Sequence, residues 1–172
     1  DQAEYIRTGL DYNAMQNNVD NFLAETNNTT ITFINTFNAL SVPKFKNFLE
    51  YILSLRAEYS KDRQGIKYIP IHDPYNTHDD YEIHPRQRIW FDIPLLRNPA
   101  WQSIHILPQE FDHYLEDAIA FMKENTNTDD FVGFYDFEIE KAERNLAALK
   151  ARNLSNPETL ERNRRNLVKY FD

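Results

Sequence analysis

One stretch constrains this chain more than any other. Residues 29–37 (Thr-Thr-Ile-Thr-Phe-Ile-Asn-Thr-Phe) are almost all β-branched or aromatic, and a helical apolar stripe follows at once. Such side chains pack on a pleated surface, so this stretch reads as a buried strand. Ser41 is placed to cap the next helix, with Pro43 tolerated in its first turn. Phe45, Phe48, Leu49, Ile52 and Leu53 then share one face as far as about Tyr59. The pattern recurs at residues 88–96, where Arg-Ile-Trp-Phe-Asp-Ile-Pro-Leu-Leu reads as a second buried strand. Pro94 marks its end or a bulge, because proline cannot donate to a ladder.

The remaining elements fit around these two. Met15, Val19, Phe22 and Leu23 make residues 11–25 an amphipathic helix. Residues 60–64 read as a turn, residues 66–71 and 101–107 as short strands, and residues 72–88 as a polar, unperiodic excursion. Pro108 opens a helix with Phe111, Leu115, Ala118, Ile119 and Met122 on one face. Tyr135, Ile139, Ala142, Leu146 and Leu149 set another, and Asn156 with Pro157 starts the last. Strands separated by helical crossovers usually lie parallel, so this order predicts an α/β fold with a parallel or mixed sheet. So few strands make a poor sheet, which suggests a piece cut from a longer protein.

Composition narrows the chemistry. Three glycines, Gly9, Gly65 and Gly133, are too far apart for a phosphate-cradling loop. The absence of cysteine rules out disulfides, a thiol nucleophile and an iron-sulfur cluster held by this segment's own thiolates. Twenty-seven acids against nineteen Lys and Arg leave a net charge of −8, which disfavours nucleic acid as a partner. No apolar run approaches the ~20 residues of a membrane span. The first residues lack the features of a signal peptide, so the cytoplasm is the default compartment. The sequons at Asn27, Asn28 and Asn153 then read as chance.

Ligands in parallel α/β sheets bind at the carboxyl ends of the strands. Those positions carry Asn35, Thr36 and Asn38 after the first strand, and Asp92, Ile93, Leu95 and Arg97 on the second. Asn and Thr there also commonly satisfy loop backbone groups, so ligand contact and a local turn both stay open. His72, Asp73, His78, Asp79, Asp80, Glu82 and His84 crowd one loop and invite a metal reading, although nothing local supplies a rigid supporting shell. His105 alternates with isoleucines and reads as a strand residue. Arg162, Arg164, Arg165 and Lys169 read as a solvated helix face near a C-terminus.

Three stretches in order resemble a known family. Residues 3–12 (Ala-Glu-Tyr-Ile-Arg-Thr-Gly-Leu-Asp-Tyr), with Asn18-Val19 and Phe22-Leu23, look like the segment after the fourth strand of radical S-adenosylmethionine (radical SAM) proteins of the SPASM or twitch type. Residues 37–43 (Phe-Asn-Ala-Leu-Ser-Val-Pro) resemble the fifth strand-to-helix junction. Asp92-Ile93-Pro94-Leu95-Leu96, with Pro99, Trp101, Ser103 and Pro108 beyond, resembles the sixth strand and the segment after it. The resemblance implies the C-terminal portion of a partial (β/α)6 TIM-like barrel over residues 1–125 and a helical extension over residues 126–172. It implies a 4Fe-4S cluster and S-adenosylmethionine in the full-length protein, with the CxxxCxxC cysteines on a missing N-terminal part. It also implies that Asn35, Thr36, Asn38, Ile93 and Leu95 wall the cofactor and that Arg7 meets its carboxylate or forms a helix-entry salt bridge. No residue of this segment is then catalytic by itself. A peptide or protein is the implied substrate class of the 5′-deoxyadenosyl radical, and the auxiliary-cluster cysteines of the subfamily are absent. Two rival readings are a non-catalytic protein-binding α/β module and a metal-dependent hydrolase built on the loop from His72 to His84.

Overall fold

Asp11 accepts a hydrogen bond from the Ala14 N–H at 2.9 Å and so caps the first helix, α1 (Tyr12–Glu25). In this computed structural model the described residues are 9–26, 29–60, 87–128, 131–151 and 156–171. At the other end of α1 the buried Arg88 guanidinium donates to the carbonyls of Leu23 (3.2 Å), Thr26 (2.6 Å) and Thr29 (3.1 Å). A cation is favourable among the last carbonyls of a helix, and here it ties α1 to the start of the sheet.

The sheet has two strands, β1 (Ile31–Ile34) and β2 (Ile89–Asp92), paired in parallel with Ile31 opposite Ile89 and Ile34 opposite Asp92. Beyond both strands Phe37 pairs with Leu95, the Phe37 N–H reaching Pro94 O at 2.7 Å and the Leu96 N–H reaching Phe37 O at 2.9 Å. Pro94 interrupts the ladder between them because in this register its nitrogen would be the donor to Asn35. Ile31, Phe33, Ile89 and Phe91 form the inner face. It is covered by α2 (Phe45–Tyr59), with Phe33 edge-on to Phe48 and Tyr51 at 6.2 and 6.0 Å.

Three further helices complete the described chain: α3 (Asp112–Glu124), α4 (Asp136–Lys150) and α5 (Pro157–Phe171). One apolar core joins Leu23, Phe37, Leu49, Ile52, Ile89, Leu115, Met122, Phe134 and Leu149. The loop between α3 and α4 closes tightly at Gly133, where a Cβ would lie 2.5 Å from the Asn127 nitrogen and 2.6 Å from the Asn125 oxygen. Only glycine permits that approach. Asn156 caps α5 by accepting from the Thr159 N–H at 3.0 Å. The helix is fixed by Arg164 Nε on the Ile106 carbonyl (2.7 Å) and by Tyr170 against Trp101 (4.6 Å between rings).

These observations correct the expected architecture. The described residues make a small helix-rich fold with two short parallel strands, not an α/β portion of a TIM-like barrel. Residues 101–107 form no strand. Between Pro99 and Pro108 they make two 3-10 turns, Ala100–Gln102 and Ile104–Ile106, and Ser103 accepts from the His105 N–H in the second. Prolines on both sides withhold donors, and the serine offers the backbone a local alternative to a ladder. The readings of residues 66–71 as a strand and of residues 72–84 as a metal loop lie outside the described residues.

Candidate functional site

The structure brings the two expected strand ends together and then occupies most of their side chains. Asn38 accepts from the N–H groups of Leu40 (2.9 Å) and Ser41 (3.2 Å) and donates to the Thr36 carbonyl (3.1 Å). That is a local Asx turn leading toward α2. Ile93 is 1% exposed and points into the core, while Leu95 packs half-buried against it. Asp92 pairs with Lys141 and also accepts from the Ile93 N–H. Half-buried Asn35 and exposed Thr36 remain at this end with side chains open to a ligand. Arg7 lies outside the described residues.

Beyond the strand ends, the two long edges of the sheet dominate the site's geometry. In a parallel ladder alternate residues turn both backbone groups the same way. On β2 and just beyond it the residues facing away from β1 are Ile89, Phe91 and Ile93. Arg56 Nε donates to Ile89 O at 3.0 Å and Asn145 Nδ2 to Ile93 O at 3.1 Å, while Gln87 Oε1 accepts from the Ile89 N–H at 3.1 Å. Arg56 is fully buried and forks onto Glu138 at 2.6 and 3.0 Å, with a further bond to Gly133 O at 3.0 Å. Glu138 in turn accepts from the Tyr135 N–H at 3.0 Å. The guanidinium also lies 5.7 Å from the ring centres of Phe91, Phe134 and Tyr135. This buried pair therefore has the hydrogen bonds that make a desolvated charge tolerable. Sequence reasoning missed Arg56, Glu138 and Asn145. Their signal was present: each sits on the apolar stripe of its own helix, at helical spacing from Ile52 and Tyr59 or from Ala142 and Leu149.

On β1 and just beyond it the outward-facing residues are Thr32, Ile34 and Thr36. Their N–H groups meet no partner among the described residues, and Ile34 is 68% exposed. Beside this edge, α1 and Ile31 enclose an open groove of about 540 Å³ lined by Asp11, Ala14, Met15, Asn18, Val19 and Phe22. Phe22 is 42% exposed, so the stripe read from the sequence is only partly covered. Two buried hydroxyls flank the strand without a hydrogen-bond partner among the described residues, Thr30 Oγ1 just before it and Tyr51 OH behind Phe33. Burial pushes the Tyr51 phenol well above its ordinary value of 10.0, and the nearby Asp20, Tyr12 and Tyr59 act in the same direction.

Among the described residues no three His, Asp or Glu side chains gather into a metal-ligating group, and no helix is long and apolar enough to cross a membrane. No family model, curated protein or solved structure matches the chain.

Proposed function

We propose that this chain is a protein-binding module whose docking surface is the edge of β1, which no strand among the described residues pairs with, together with the apolar side of α1. One observation carries the reading: Ile34, the last residue of β1 in the only sheet among the described residues, is 68% exposed, and the partly exposed Phe22 stands on the rim of the adjoining groove. Apolar side chains exposed on both sides of an open strand edge are costly in water and commonly mark an interaction site. The test is a photo-crosslinking side chain placed at Ile34 and, separately, at exposed Glu161 on α5. A defined polypeptide that crosslinks at residue 34 but not at residue 161, and then binds the purified chain in a manner lost in Phe22→Asp, is the expected result. Equal labelling at both positions, or binding indifferent to Phe22→Asp, overturns it.

A second reading keeps the resemblance to radical SAM proteins, in which the segment contributes a cofactor wall within a larger enzyme. It is supported by the parallel juxtaposition of Asn35 and Thr36 with Leu95 across the Phe37 to Leu95 bridge. The turn formed by Asn38 and the burial of Ile93 narrow that wall to fewer residues than the resemblance implies. A CxxxCxxC motif in the flanking gene, and weaker S-adenosylmethionine binding by the full-length protein on Asn35→Ala, are the expected outcomes. A flanking gene without that motif removes this reading.

A further inference from the structure

We infer that the occupant of the β1 edge is an extended segment of a partner polypeptide that adds as a third strand, carries apolar residues at alternate positions and is basic at its flanks. This rests on the protein-binding reading above and specifies the partner. The backbone supplies the first reason. The N–H groups of Thr32, Ile34 and Thr36 point outward at the two-residue repeat of a strand, and only another extended backbone matches that row at every step. The surfaces on either side supply the second. Successive side chains of an added strand would alternate between the groove of Met15, Val19, Phe22 and Ile31 and the outer face where Ile34 is exposed, so both sides of the incoming strand meet apolar surface.

Charge supplies the third. Asp11, Asp20 and Glu25 are the only ionisable acids or bases on α1 and its cap apart from Tyr12, and β1 carries no charge at all. The charged side chains that α1 and its cap supply to the rim are therefore all acidic, with Asp11 lining the groove itself, within a chain whose net charge is −8. A Lys- or Arg-flanked strand is attracted to that rim, whereas a second copy of this acidic chain is repelled from it.

The probe is a synthetic peptide of alternating Val and Thr flanked by Lys at each end, titrated into the purified chain and followed by amide chemical shifts. Saturable shifts centred on Thr32, Ile34 and Thr36 are expected, with affinity falling as salt rises. N-methylation of alternate peptide residues is expected to weaken binding about tenfold or more in one phase of the alternation and little in the other, because only one phase faces β1. The chain itself is unaltered in this comparison, so misfolding cannot imitate the effect. Equal tolerance of methylation in both phases would overturn strand addition while leaving apolar docking intact. Equal binding of a Glu-flanked peptide would overturn the charge assignment. Absence of any shift with the Lys-flanked peptide, or dimerisation of the chain through Ile34, overturns the proposed occupant, and the crosslinking experiment then decides separately whether the surface binds protein at all.

Discussion

Ile89 and Ile93 on β2 turn their carbonyls onto Arg56 and Asn145, whereas Thr32 and Ile34 on β1 turn their backbone groups outward without a partner among the described residues. Both strands are four residues long and lie in one sheet, yet one edge is closed by side chains and the other is not. On the β2 side Arg56 from α2, Asn145 from α4 and Gln87 meet the edge, and these polar side chains reproduce part of a ladder. Closing an edge in this way hinders pairing there, since the Ile89 and Ile93 carbonyls already have their donors. The difference teaches where to look for a partner: Arg56, Glu138 and Asn145 all serve the β2 edge.

The largest expected effect breaks the sealed edge. Glu138→Gln leaves the Arg56 guanidinium buried without its counter-charge, and such half-removed pairs cost about 3–5 kcal/mol. Urea unfolding should show that loss. A change below about 1 kcal/mol would mean that water reaches the pair, and that the β2 edge is not sealed as described. Next in size is Asn145→Ala, which strips the Ile93 carbonyl of its donor and should cost about 1–3 kcal/mol by the same measurement. If that edge is only loosely covered, the variant will be nearly neutral.

Tyr51→Phe probes the open side and should act in the other direction. The hydroxyl is buried without a partner, so its removal should be neutral or should stabilise the fold by up to about 1 kcal/mol at neutral pH. The pH dependence has a definite sign. Because the folded-state pKa of Tyr51 is raised, the unfolded chain loses this proton first as pH climbs past 10.0, and stability falls above that point. Thermal unfolding between pH 8 and pH 11 should therefore decline less steeply in Tyr51→Phe than in the parent chain. Identical alkaline slopes would show that Tyr51 is solvated and that the β1 side holds no dry polar group.

Legibility in the sequence tracks the length scale of each interaction. The helices and both strands were visible because their apolar periods are local: α1 begins at the capping Asp11, α5 at Asn156 and Pro157, and residues 31–34 and 89–92 fall inside the two β-branched and aromatic runs. Parallel pairing was also readable, since a helical crossover separates the strands. The sheet's size was not. Whether a third strand or a helix lies beside β2 is settled by Arg56, Gly133 and Glu138, which lie far apart in the chain and meet only in the folded state. A charged residue on an apolar helical stripe signals burial, but it does not name its partner. The expected cofactor wall met the same limit: Asn35 and Thr36 were placed correctly at a strand end, while the turn that occupies Asn38 and the core that takes Ile93 depend on contacts outside the pattern.

The smallest stability effect is expected at the residue on which the binding reading depends most. Ile34→Thr keeps a β-branched side chain in β1 and removes apolar surface that the isolated chain leaves in water. Little burial is lost, so unfolding free energy should stay within about 0.5 kcal/mol of the parent. Association should change more than stability, because a less apolar edge is a poorer template for a partner strand. Urea unfolding and binding of the Val/Thr peptide, measured on the same preparation, separate the two quantities. Unchanged stability with weaker peptide binding would show that Ile34 is exposed for a partner. A loss of several kcal/mol would instead place Ile34 inside the folding core and remove the contrast between the two edges.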